Sequence, residues 1–178
     1  MILKVIRDSV QRFFHSVVAR DVAFTGSLFK PRTRLFAFFD NIDVTQYITP
    51  TPPFVNKYNN INDSDGINTT DTTITVDSTS VFPSSGTIQI DDEKITYTNT
   101  TSTTFTGCAR GTSGTTAASH SDNAVVYSLN MGDPLITGAT GKISGTFSIP
   151  DPNTSGNPAF KVGERILRLT SDSVNGVL

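Results

Sequence analysis

Two apolar, strand-like stretches frame a long tract of Thr, Ser and Asn, and this order constrains the fold more than any other feature of the chain. The first stretch runs from Leu28 to Pro50, with Leu35, Phe36, Phe38 and Phe39 as its apolar mass. The second runs from Gly132 to Pro150 and resumes from Phe160 to Thr170. The tract between them cannot supply a comparable core. The pattern reads as one β module with another inserted into it, and as a building block rather than a catalyst.

A chain of 178 residues holds one or two domains. Thr and Ser make up about a quarter of it and Trp is absent, which favours β structure with many turns, because β-branched Thr fits a half-exposed pleated surface. The net charge of −2 hides an asymmetry. Residues 1–50 hold seven Lys/Arg against four Asp/Glu, whereas residues 69–128 hold two against six. Neither field is strong enough for nucleic-acid binding. Cys108 is the sole cysteine, so one chain can form neither an internal disulfide nor a multi-cysteine metal site. No apolar run approaches the ~20 residues of a membrane span. The start, Met1 to Asp8, lacks the long apolar region of a signal peptide, so synthesis in the cytoplasm is expected.

Segment by segment, residues 1–15 read as an N-terminal arm, apolar enough to need a covering partner. Residues 16–53 form the first half of an Ig-like β-sandwich, with strands expected at about 16–26, at 33–40 and, after an Asp40-Asn41 turn, at 43–47. Residues 54–70 read as a polar linker with weak core potential. Residues 71–130 alternate with period two at Thr73–Val76, Thr87–Ile90, Lys94–Thr98 and Ala124–Tyr127, which indicates a small antiparallel β-barrel or sandwich. Residues 131–172 supply the second half of the sandwich. Ile143, Phe147 and Ile149 share a face there, Gly145 marks a bulge or close backbone approach, and Ile166 points inward with either Leu167 or Leu169. Residues 173–178 form a C-terminal tail. Neither outer half has enough strands for a stable sheet alone, and together they do. The fold class expected is therefore all-β: an Ig-like sandwich with an inserted small β domain and an N-terminal arm.

Several of these residues resemble known modules. Leu28-x-Lys-Pro-Arg-Thr-Arg-Leu-Phe-Ala-Phe-Phe-Asp-Asn-Ile-Asp-Val-Thr-x-Tyr47, Gly132-Asp-Pro-Leu135, Gly141-Lys-Ile-Ser-Gly-Thr-Phe-x-Ile-Pro150 and Phe160-Lys-Val-Gly-Glu-Arg165 resemble a recurring module of tailed-bacteriophage virion proteins, found in tail, baseplate and fibre components. Phe82-Pro-Ser-Ser-Gly-Thr-Ile88, Ile95-Thr-Tyr97 and Phe105 to Asp122 resemble a second module of phage tail and baseplate proteins. Together they cover roughly residues 20–172. The resemblance implies a non-enzymatic virion component in the tail or baseplate, present in multiple copies and contacting other tail, baseplate or fibre subunits, with no cofactor, nucleic acid or membrane among its partners. The alternatives it leaves are a receptor- or glycan-binding module of a tail fibre and a head decoration protein.

Phe13, Phe14, Val17 and Val18 are the residues expected to dock the arm onto a neighbouring subunit. Arg110 reads either as a pin for the glycine-bearing loop of Gly107, Gly111 and Gly114 or as a partner contact. His120 and the Asp91-Asp92-Glu93 run read as exposed turn residues, since adjacent carboxylates at a hairpin turn lack the separation and cleft that glycosidases need. Asp63, Asp65 and Asp71 fail the EF-hand pattern, with Ile61 and Thr72 where acidic ligands belong. No metal ligand is assigned. The 107–123 loop is the candidate surface for a glycan, with few exposed aromatic residues to support it.

Overall fold

The computed structural model describes residues 2–6 and 19–174. It is nearly all β, with antiparallel sheets packed as sandwiches. Five strands precede residue 55: β1 (Ile2–Ile6), β2 (Arg20–Gly26), β3 (Arg34–Phe39), β4 (Ile42–Asp43) and β5 (Ile48–Pro50). Seven follow in the middle: β6 (Tyr58–Asn60), β7 (Thr73–Thr75), β8 (Gly86–Ile90), β9 (Glu93–Tyr97), β10 (Asn99–Thr100), β11 (Thr104–Thr106) and β12 (Val125–Ser128). The last are β13 (Leu135–Ile136), β14 (Ile143–Ile149) and β15 (Arg165–Thr170). The chain divides into two compact units, an outer one made of 1–54 with 131–178 and an inner one made of 55–130.

In the outer unit one sheet runs β1-β15-β3-β13, with β4 beside β3, and the other runs β2-β14-β5. Alternation along β3 turns Leu35, Ala37 and Phe39 inward, and β15 answers with Leu167 and Leu169. Phe24, Ile143, Phe147 and Ile149 face them from the second sheet. The centre is aromatic: Phe39 lies 5.1 Å from Phe147 and 4.8 Å edge-on to Phe160. Outward-facing Phe36 and Phe38 are covered by Arg34 and Arg168, whose guanidinium carbons lie 4.9 and 5.6 Å from the ring centres. Asp40 and Asn41 both take positive φ, as the tight turn between β3 and β4 requires.

The inner unit packs a four-stranded sheet, β6-β12-β8-β9, with a three-stranded one, β10-β11-β7. Its core is mostly aliphatic, from Ile61, Ile67, Ile74, Val76, Ile88, Ile90, Ile95 and Val126. Phe105 sits between Phe82 and Tyr97, at 5.0 and 4.7 Å.

The structure corrects four expectations and decides between the two alternatives at Gly145. Residues 54–70 are no linker: they contribute β6 and two core residues, Ile61 and Ile67, which are 1% and 4% exposed. Each is a lone apolar residue among polar neighbours, and antiparallel bridging to Val76 and His120, later in the same chain, carries it inward. Thr45–Tyr47 is a short 3-10 turn instead of extended chain, because the Asp43 carboxylate accepts the Thr45 N–H (2.9 Å) and Thr45 Oγ1 accepts the Ala37 N–H (2.9 Å). Ile166 points outward, since Leu167 and Leu169 share the inner face and alternation excludes it. Gly145 marks close approach, not a bulge: the β2–β14 register runs unbroken, and a Cβ there would lie 2.8 Å from the Phe24 ring and 2.9 Å from the Thr49 carbonyl. At the start of the chain, the backbone of β1 pairs with β15 of the same chain, so that part of the arm completes its own sheet. Phe13, Phe14, Val17 and Val18 lie outside the described residues.

Candidate functional site

The densest chemistry gathers in the inner unit, where the β8–β9 hairpin meets the 107–123 loop. Glu93 opens β9 on the side of the strand that also carries Ile95 and Tyr97, so pleating turns its carboxylate inward. The residue is 1% exposed. Arg110 grips it with two parallel bonds, Nε to Oε1 at 2.9 Å and Nη2 to Oε2 at 2.8 Å. The Gly111 N–H donates to Oε1 at 2.9 Å and the Ala118 N–H to Oε2 at 3.1 Å. His120 brings Nε2 to 2.8 Å from Oε2 and Nδ1 to 2.9 Å from Asp91 Oδ2. Arg110 also donates to the carbonyls of Asn68 and Ala118.

Burial acts to raise the Glu93 pKa. The bonds from Arg110, the Ala118 N–H, His120 and the Gly111 N–H outweigh it and bring the carboxyl from 4.5 down to about 2. Glu93 is therefore ionised at neutral pH, with both oxygens engaged. Both ring nitrogens of His120 thus face a carboxylate oxygen, Asp91 on one side and Glu93 on the other. Cys108 lies nearby in the core. Burial pushes its thiol up from 9.0 to about 11, against the pull of the Arg110 guanidinium, so it stands as a neutral thiol.

The arrangement is a clamp. One carboxylate ties together the hairpin and the loop, while Arg110 reaches on to residue 68. Further bonds extend it: Ile67 and His120 exchange backbone bonds at 2.8 and 2.9 Å, and Thr115 Oγ1 accepts the Lys94 N–H at 3.0 Å. His120 is thus buried (5% exposed) where an exposed turn was expected. Glu93 departs from its two acidic neighbours in the same way, whereas Asp91 keeps an exposed side chain. Arg110 fills the loop-pinning role: its side chain is only 6% exposed and its guanidinium bonds to Glu93, Asn68 and Ala118 of its own chain. The inward turn of Glu93 was readable by counting back two residues from Ile95 and four from Tyr97. Nothing local in the sequence announces its meeting with Arg110 and His120.

Asp63 and Asp71 are spent on turns, accepting N–H bonds from Asp65 (3.2 Å) and Asn68 (2.7 Å). Among the described residues, no group of three His, Cys, Asp or Glu is placed to hold a metal ion. No helix among them is long and apolar enough to cross a membrane. No protein-family model, curated protein or solved structure matches this chain.

Proposed function

We propose that this chain is a non-enzymatic structural component of a tailed-phage virion, placed in the tail or baseplate. Its outer unit serves as an Ig-like sandwich and its inner unit as a second rigid module. Assembly proceeds through the N-terminal segment and the open β surfaces, against other tail, baseplate or fibre subunits present in several copies. The observation that carries this reading is the clamp. The residues best equipped for acid–base chemistry, Glu93 and His120, bond to their own chain and fix a loop. The nested β architecture and the two resemblances in sequence point the same way. Such a protein works mechanically: its sheets hold surfaces at fixed positions, and stiffness is the property selected.

The reading is tested at Phe13 and Phe14. Replacing both by Ser is expected to lower incorporation into particles, measured by quantitative blotting of purified virions, while the thermal transitions of the isolated protein stay unchanged. Unaltered incorporation would remove the proposed docking role.

A further inference from the structure

The outer face of the four-stranded inner sheet carries a row of side chains that the clamp does not use. Tyr58 on β6 stands opposite Tyr127 on β12; Tyr127 stands opposite Gln89 on β8; Gln89 stands opposite Lys94 on β9. The alternate residues of these strands, Val126, Ile88, Ile90 and Ile95, are buried in the core, so pleating commits the row to the opposite face. The two tyrosine rings lie 6.1 Å apart and tilted by 50°, and Tyr58 is 56% exposed. Gln89 is fixed by a 2.8 Å bond from its Nε2 to the Asp91 carbonyl. Thr87 and Thr96 form the adjacent pair on the same face.

We infer that this row is a binding platform for a neutral saccharide chain. Three features of the face select that ligand. A tyrosine presents an apolar ring with a polar tip, and a sugar ring matches it with a face of C–H groups and a rim of hydroxyls. Beyond the two rings, the neighbours are an amide, an ammonium and hydroxyls, which suit hydroxyl partners. A protein partner would instead want an apolar centre from which Lys is depleted. Charge completes the choice. The inner unit holds three Lys/Arg against eight Asp/Glu, so it repels anionic polymers, nucleic acid included, and leaves an uncharged polyhydroxylated ligand as the complement. Strand spacing sets the length: three steps span about 14 Å, enough for roughly two to three sugar rings. The two tyrosines are not part of the 107–123 loop to which the sequence pointed; that loop bonds to the backbone of Lys94 at the other end of the row. Tyr58 falls in the presumed linker and Tyr127 in a distant strand, and only the sheet brings them together. The inference goes beyond the assembly role and does not depend on it.

The chain has no tryptophan and two of its four tyrosines, Tyr58 and Tyr127, stand on the platform, so the part of its fluorescence that Tyr58→Ala and Tyr127→Ala remove reports on it. The full chain is screened on an array of neutral glycans including β-1,4-glucan, α-1,4-glucan, chitin and mannan oligomers, and the best binder is titrated by tyrosine fluorescence and calorimetry. Saturable binding is expected, weakened at least about tenfold in Tyr58→Ala and in Tyr127→Ala and roughly two- to threefold in Lys94→Ala. Tyr58 is mostly exposed, so Tyr58→Ala keeps the wild-type melting temperature and separates lost binding from lost fold. No saturable binding to any array member overturns the inference, as does binding that survives both tyrosine substitutions. If Tyr58→Ala lowers incorporation into particles while no glycan binds, the face is a protein contact: the saccharide inference fails and the virion reading stands.

Discussion

The outer and inner units solve the same problem with different materials. The outer unit is assembled from segments far apart in the chain and closes on an aromatic cluster, Phe39, Phe147 and Phe160. The inner unit is continuous, closes on a mainly aliphatic core around Phe82, Phe105 and Tyr97, and buries an ion pair with a histidine at one end. Their charges differ in sign as well: eleven Lys/Arg against eight Asp/Glu outside, three against eight inside. Large rings fill the outer core by bulk, and their burial rewards the long loop closure that joins the two halves. The Thr-rich inner unit adds a second device to its own ring cluster. It fixes its longest irregular loop by charge-assisted bonds, which are directional and specify one geometry.

The comparison breaks most readily at the clamp. Arg110→Ala leaves a buried carboxylate without its main partner and is expected to cost about 3–5 kcal/mol. Hydrogen exchange should localise the loss to residues 55–130, and equal deprotection of the outer strands would show that the two units do not differ as described. Phe147→Ala should be of comparable size, about 3–5 kcal/mol, and confined to the outer unit by the same measurement. Acid should separate the units more gently. Glu93 titrates at 4.5 when unfolded and at about 2 when folded, so between those values the unfolded chain binds the extra proton. Its stabilising contribution is complete above pH 4.5 and is lost as pH falls towards 2. The inner unit should therefore weaken across this window, and Glu93→Gln should flatten that slope at the cost of lower stability at neutral pH. An unchanged slope in the variant would assign acid sensitivity to other carboxylates.

How much of this was legible in the sequence varies with the range of the interaction. Alternation placed β7, β8, β9 and β14 because the period of two is local and Ile74, Ile88, Ile95 and Phe147 announce it. It failed at β15, where Ile166, Leu167 and Leu169 offer two apolar phases and only the β3 partner decides between them. It failed again at Ile61 and Ile67, whose burial comes from strands elsewhere in the chain. The clamp was the least legible part. Arg110 was readable as a loop pin, but its acceptor lies 17 residues away, and His120 bonds across 27. Such meetings are set by loop closure, which composition and spacing do not encode.

The clamp also has a use in engineering. Glu93 holds the loop by two feet, at Gly111 and Ala118, and Thr112 and Thr115 add bonds to Lys94. Between them the tip at Ser113 and Gly114 is exposed, and a Cβ added at Gly114 would meet nothing within 4 Å. A guest peptide spliced in at that tip would start and finish on anchored backbone, which makes the loop a ready port for displaying foreign sequence on a rigid β module.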